Sequence, residues 1–433
     1  MAVVLLQPNR QSVLKKTSII AFMAGLGLLS VSSLQAASDD GKATNKSQQL
    51  KVSGYVQMQY QMADTAGIAS MAGGNFAAGV DNRFAIRRGR LKLAYTHDLT
   101  AAVLQVDMTE KGLALKDAYI SLTDPWLRLA SFTGGVFDRP FGYEISYSSG
   151  KRETPERSRL YQTLFPGERD LGVRLSVKGQ NESMLEGLRM DLGLINGNGV
   201  HVETDSYKDV VARLSLSRQA FSGAMDWGLG VSGYLGGPAH TNSLAYTMQE
   251  RDGIPVFVSE NVEVGSRATR RYVGVDAQLA FKWKPGRSQL RFEWLEGQQP
   301  GLANSSSSLT GLAGGPLYLR PFSGFYLYYI QQVLNTPLQF VWRWDVYDPN
   351  SAVGGNAIGR SATSGAKTGQ ADVGYATMGW GLNYQLTDRV KLMAYYDWVT
   401  NETTTFLPQA STLTDLSKDR QDNLFTLRMQ YAF

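Results

Sequence analysis

The sequence predicts an all-β protein: a sixteen-stranded antiparallel transmembrane β-barrel with short periplasmic turns and long extracellular loops. Three observations carry this expectation. The first is strict period-2 alternation, cleanest in the last nine residues. There Phe425, Leu427, Met429, Tyr431 and Phe433 share one side of an extended chain, and Thr426, Arg428, Gln430 and Ala432 share the other. A half-buried strand of a soluble sandwich alternates too, but an oily face ending in aromatics fits a barrel wall with lipid outside and water inside. The second is the sorting of connections by length, set out below. The third is composition: 45 Gly, 21 Tyr, 8 Trp and no Cys. After residue 37 no run approaches the ~18 apolar residues that a spanning helix needs.

The chain opens with Lys15-Lys16, an uncharged stretch over 17–34 and the small pair Ala36-Ala37. A positive segment, an apolar segment and a small-residue cleavage site make a secretory signal peptide, expected over 1–37. The competing reading is an uncleaved anchor. The many Ser, Gly and Ala residues, and Asp39-Asp40 beyond them, favour cleavage. Residues 38–51 read as a polar periplasmic leader, and the barrel is expected over 52–433. The formal charge is +5, of which Arg10, Lys15 and Lys16 leave with the signal, so the balance that remains is +2. Charge therefore gives no argument for nucleic acid. An exported chain without cysteine holds no disulfide.

Alternating segments fall at 52–62, 84–96, 101–109, 115–122, 127–137, 170–178, 186–196, 209–218, 224–235, 271–283, 287–297, 323–333, 337–347, 375–386, 389–400 and 421–433. Most approach the ~9–11 residues of a tilted membrane strand. Every second connection is short and rich in turn formers, such as Thr123-Asp124-Pro125-Trp126, Lys284-Pro285-Gly286 and Thr387-Asp388. The alternate set is long, at 63–83, 138–169, 197–208, 236–270, 298–322, 348–374 and 401–420, with 110–114 its one short member. A soluble sandwich has no reason to sort its loops in this way, whereas an outer-membrane barrel does. An even strand number also brings both strand ends to the periplasmic side.

The faces carry charge in the same sense. Leu392, Ala394, Tyr396 and Trp398 alternate with Lys391, Met393, Tyr395 and Asp397; Phe340, Trp342 and Trp344 alternate with Gln339, Arg343 and Asp345. A charge on the lipid face at the midplane costs ~2–4 kcal/mol, so the charged sets are expected in the lumen.

The pieces Gly54-Tyr55-Val56-Gln57, Phe84-Ala85-Ile86-Arg87-Arg88-Gly89-Arg90-Leu91, Lys116-Asp117-Ala118-Tyr119-Ile120, Arg139-Pro140-Phe141-Gly142-Tyr143-Glu144, Glu168-Arg169-Asp170-Leu171-Gly172-Val173 and Asn196-Gly197-Asn198-Gly199 form a recognisable set. With them the chain resembles the phosphate-selective porin O and P family of bacterial outer membranes. The likeness is dense over 52–218 and looser beyond, where Tyr272-Val273-Gly274-Val275-Asp276 and Arg343-Trp344-Asp345-Val346-Tyr347 recur. The resemblance implies a homotrimer of sixteen-stranded barrels. Each has its own pore, narrowed by an inward loop and lined by Arg and Lys. The family also has members whose solute is not phosphate. The partners expected are a small phosphate-like anion, outer-membrane lipid and lipopolysaccharide, and further copies of the chain. No cofactor and no metal are expected, and Asp348-Pro349-Asn350 reads as a turn rather than a calcium ligand.

If Leu91, Leu93 and Tyr95 face lipid, then Arg88, Arg90 and Lys92, with Phe84 and Ile86 on the same side by alternation, form a basic ladder into the pore. Arg174, Arg213 and Arg343 also fall on lumen faces, as do Arg291 and Arg428. Guanidinium forks suit phosphate and carboxylate, and rows of Arg and Lys select anions. The alternative is structural pairing with wall carboxylates, since Asp107, Asp117, Asp191, Asp276, Glu293, Asp345 and Asp397 land on lumen faces too. The connection 138–169 matches in place the family's inward loop and carries Lys151, Arg152, Arg157 and Arg159 among its charges. The alternative there is a solvated outer loop.

Three functions fit such a barrel. A passive, anion-preferring diffusion channel uses the ladder. An adhesive or structural barrel uses the long polar loops but leaves the ladder without purpose. An outer-membrane hydrolase needs a base, and His97, His201 and His240 all fall in turns or loops. No catalytic residue is assigned, and the expected protein is not an enzyme.

Overall fold

The computed structural model describes residues 48–362, 366–405 and 416–433. The expected signal peptide and residues 38–47 of the expected leader lie outside the described residues. Among the described residues, sixteen long strands follow one another. They are β1 (Gln48–Ala63), β2 (Asn82–His97), β3 (Thr100–Thr109), β4 (Gly112–Thr123), β5 (Ala130–Asp138), β6 (Arg169–Lys178), β7 (Leu188–Ile195) and β8 (Asp209–Ala220), then β9 (Met225–Gly236), β10 (Arg270–Trp283), β11 (Gly286–Gly301), β12 (Leu317–Gln332), β13 (Leu338–Asp348), β14 (Tyr375–Gln385), β15 (Val390–Asn401) and β16 (Leu424–Ala432). Each pairs antiparallel with the next.

β16 returns to β1, with Tyr55 opposite Ala432 and Ala63 opposite Leu424. Gly54 and Phe433 exchange two backbone hydrogen bonds of 3.0 Å. Closure leaves no open edge in the wall, the condition for a sheet to stand in lipid. The sixteen segments read from alternation are these strands. The boundaries differ most at β12, which starts at Leu317 rather than 323, and next at β1, which starts at Gln48 rather than 52 because β2 runs on to His97 and offers ladder partners to both Gln48 and Gln49. Residues 48–51 are therefore wall, not leader.

The faces separate as alternation requires. On β16 and the residue after it, Leu427, Met429, Tyr431 and Phe433 are exposed outward, while Thr426, Arg428 and Gln430 are buried inward. Trp344, Trp380 and Trp398 face outward, and Phe325 meets Trp344 edge to face at 4.9 Å. This apolar outer band carries the aromatics of a membrane-spanning wall.

One long loop holds structure that periodicity does not announce. Leu244–Arg251 and Ile254–Asn261 form a hairpin on the extracellular side. Its first strand pairs parallel with the start of β12, Ala245 opposite Leu317. Tyr246, Phe257 and Tyr318 bury one another there, with ring centroids 4.6 and 4.9 Å apart, and this small apolar core seats the hairpin.

Candidate functional site

Two bulges decide which side chains enter the lumen. In the β1–β2 ladder, Gln57 pairs with Arg88 and Met58 with Ile86, so Arg87 is an extra residue. The phase of β2 reverses there. Phe84 and Ile86 lie on the lipid side, 83% and 41% exposed, while Arg88 and Arg90 are buried inside. The shared face expected for Phe84, Ile86 and Arg88 is thus corrected: a bulge places two successive residues against one partner and resets alternation. In the β3–β4 ladder, Gln105 pairs with Asp117 and Val106 with Leu115, which makes Lys116 a second extra residue.

The connection 139–168 between β5 and β6 turns into the barrel. Phe141, Ile145, Leu160, Leu164 and Phe165 are at most 1% exposed and pack in one cluster with Tyr234, Tyr272, Phe322 and Tyr326 of the inner wall. Phe165 lies 5.7 Å from Tyr272 and 5.0 Å from Phe141. Each such side chain contributes about 1.5–3 kcal/mol on burial. Leu160, Leu164 and Phe165 reach the wall from helix α1 (Arg159–Leu164) and its C-cap.

Carboxylates pin the loop. Glu293 of β11 accepts the backbone N–H groups of Tyr143 at 2.8 Å and Glu144 at 3.2 Å, together with the hydroxyls of Tyr161 and Tyr326. Glu144 accepts the Ser158 hydroxyl at 2.7 Å and the Tyr328 hydroxyl at 3.0 Å. Arg291 forks onto Glu153, and Lys391 donates to the carbonyls of Gly150 and Arg152. Gly142, at φ +62°, approaches so closely that a Cβ there would overlap Tyr161 and Glu293. The loop is thereby fastened to β9 through β16 and to β1, where Tyr55 and Gln57 meet Ser149, and it leaves space on the side of β2 to β4.

That space is a cavity of about 250 Å³, where six cationic side chains (Arg87, Arg88, Arg90, Lys116, Arg152 and Arg157) face Asp107, Glu156 and Glu168. A second cavity of about 470 Å³ lies toward the extracellular rim and shares Arg87, Glu156 and Gln162 with the first. The pairing inside is uneven. Glu156 takes Arg87, Arg88 and Arg428, at 2.7, 2.8 and 3.1 Å. Arg90 reaches Asp107 at 3.3 Å and the Ser149 hydroxyl at 2.7 Å. Arg157 holds Glu168 and the carbonyls of Glu144, Ile145 and Tyr147. Arg152 is 3% exposed, and none of its three guanidinium nitrogens has a hydrogen-bond partner among the described residues. Burial alone would raise the Glu156 pKa, but Arg87, Arg88 and Arg428 outweigh it and hold the carboxyl well below its ordinary range.

The expected site residues divide accordingly. Arg88, Arg90, Arg152 and Arg157 meet in one cavity; Arg159 lines the outer one, its Nη1 donating to Gln162 at 3.0 Å. Lys92 is half-buried on the β2 face opposite Gln105, and Lys151 is exposed. Arg174 lies 3.3 Å from Asp138, Arg213 forks onto Asp276, and Arg343 reaches Asp397 at 2.7 Å and the Glu156 carbonyl at 3.1 Å. Arg213 and Arg343 are built as braces of wall and loop. Asp348-Pro349-Asn350 is a turn, with the Asn350 N–H donating to Asp348 at 3.0 Å. Among the described residues no group of three or more His, Asp or Glu is placed to hold a metal ion.

Arg87 and Lys116 line the cavity although strict alternation excludes them. The available signal was the doublets Arg87-Arg88 and Lys116-Asp117. Two successive charges in a membrane strand put one into lipid unless a bulge turns it inward.

No protein-family model matches the sequence, and no curated protein does. Solved structures do. The anion-selective porin of Comamonas acidovorans aligns at 12% identity and a TM-score of 0.52, over 89% of this chain and 100% of its own. The outer-membrane channel DcaP of Acinetobacter baumannii aligns at 12% identity and 0.52, over 89% and 97%. OprB of Pseudomonas putida aligns at 8% identity and 0.54, over 89% and 94%. At such identities the likeness is one of fold. The chain is a closed sixteen-stranded barrel with the porin fold, and its apolar outer band and sorted loops place it in the bacterial outer membrane.

Proposed function

We propose that this barrel is a diffusion channel preferring small anions, phosphate-like oxyanions among them. The observation that carries the reading is Arg152: a buried guanidinium without a hydrogen-bond partner among the described residues, on the wall of a cavity where cations outnumber carboxylates two to one. Burying a cation without a partner costs several kcal/mol, and an anion at that wall offsets the cost. The same requirement gives the inward turn of Arg87 and Lys116 a purpose that wall stability alone does not supply. The membership suggested by the sequence, in the phosphate-selective porin O and P family, and the homotrimer it implies belong to this proposal, as do contacts with lipopolysaccharide. A hydrolase is not proposed: His97 ends β2, and His201 and His240 lie in outer loops away from the cavity.

Reversal potential across a planar bilayer holding the purified protein in a KCl gradient tests the proposal, followed by addition of inorganic phosphate. An anion-selective current that low phosphate reduces is expected. A cation-selective current overturns the reading, and a closed, non-conducting barrel favours the adhesive alternative.

A further inference from the structure

We propose that Glu156 is a tethered internal anion. Its carboxylate occupies the arginine cluster that a permeating oxyanion would use, and thereby sets how tightly the passage holds its solute. The inference rests on the anion-channel reading above.

The geometry is that of a bound ligand. Arg87 presents Nε and Nη2 to the two Glu156 oxygens, each at 2.7 Å. A guanidinium offers this bidentate fork to phosphate as readily as to carboxylate. Arg88 adds a contact of 2.8 Å and Arg428 one of 3.1 Å. Three guanidinium groups thus converge on a single negative charge, and the excess is positive. Arg152 lines the same cavity with no hydrogen-bond partner of its own among the described residues. A dianion matches this set better than one carboxylate does.

The carboxylate is also free to leave without undoing the loop. The backbone around it is held separately: the Pro155 carbonyl accepts from Arg428 at 2.6 Å, and the Glu156 carbonyl accepts from the Thr154 hydroxyl at 2.9 Å and from Arg343 at 3.1 Å. Exchange of an arriving oxyanion for the Glu156 side chain leaves each arginine paired throughout, and the returning carboxylate drives the solute off. Conduction needs binding strong enough to admit the ion and weak enough to release it, and a built-in competitor supplies the second condition.

The test uses the purified full chain in planar bilayers. It reads the inorganic phosphate concentration that halves the chloride current, and the reversal potential in a KCl gradient. E156Q is expected to lower the half-blocking concentration by about tenfold, equivalent to ~1.4 kcal/mol, and to shift the reversal potential toward chloride. Adding R428Q to E156Q restores the cluster's net charge and is expected to return both readouts toward wild type. Unchanged readouts in E156Q overturn the proposal. So does an E156Q effect that R428Q does not reverse, because the effect then comes from loop displacement rather than charge. If E156Q fails to assemble, E156D, too short to span all three arginines, is expected to lower the half-blocking concentration at least about twofold; no change overturns the proposal. A cation-selective wild-type current is a different result and removes the channel reading itself.

Discussion

Ile86 and Arg88 stand on opposite faces of β2 although one residue separates them. Regular pleating puts residues two apart on the same face. The bulge at Arg87 breaks that rule, so the strand turns an apolar residue to lipid and, two positions on, a cation to the lumen. Arg87 itself points inward beside Arg88, and both reach Glu156. The cavity's charge density depends on this one inserted residue.

The basic face of β2 is separable from barrel closure. The triple variant R88Q/R90Q/K92Q is expected to close into the same barrel at reduced stability, because glutamine keeps hydrogen-bonding capacity toward Gln57, Asp107 and Ser149 while the buried Asp107 loses its charged partner. Its reversal potential in a KCl gradient is expected to move toward that of an unselective channel. A triple variant that conducts like wild type would show the ladder to be structural.

Arg152 and Arg213 are predicted to behave in opposite ways. R152Q removes a buried cation with no hydrogen-bond partner among the described residues, so folding stability is expected to hold or rise while the half-blocking phosphate concentration increases about tenfold. R213Q strands the buried Asp276 carboxylate at a cost of about 3–5 kcal/mol, and anion selectivity is expected to stay within about twofold. Denaturant unfolding of the refolded barrel and bilayer recording separate the two.

Loop seating is predicted to hang on Glu293. E293A removes the acceptor of two backbone N–H groups and two tyrosine hydroxyls at once. Each such hydrogen bond contributes about 0.5–1.5 kcal/mol. The loop is expected to loosen while the wall stays closed. Single-channel recording should then show larger and noisier conductance, with circular dichroism unchanged.

The Glu156 pKa gives a prediction in pH. Burial opposes its ionisation, but Arg87, Arg88 and Arg428 win and depress the folded value well below the ordinary one. A depressed folded pKa means the carboxylate–arginine contact is fully present above the unfolded value, about 4.3. It is lost only as pH falls through the lower folded value. The difference in reversal potential between wild type and E156Q is therefore expected to stay constant from neutral pH down to about pH 4.5, and to shrink only below it. A difference that halves between about pH 5 and 6 would show that the arginines do not hold this carboxyl.

By itself the sequence determined the wall. Alternation along strands such as β15 and β16, and the sorting of short turns from long loops, are local properties, because a closed sheet between lipid and water imposes one polarity on each face of every strand. The lumen positions of Arg88, Arg213, Arg343 and Asp397 were legible for the same reason. Tertiary structure alone decided which of those charges are spent and which are left over. Arg213 is consumed by Asp276 and Arg343 by Asp397, two strands away each, and Arg152 is left without a partner among the described residues, because pairing depends on distances across the lumen that no spacing along one strand encodes. The seat of the loop 139–168 is of the same kind: Phe141, Phe165 and Glu144 meet Tyr272, Tyr234 and Tyr328 across the lumen, on strands far away in sequence. The bulges at Arg87 and Lys116 lie between the two, announced by adjacent charges within a strand and given direction only by the ladder that accommodates them.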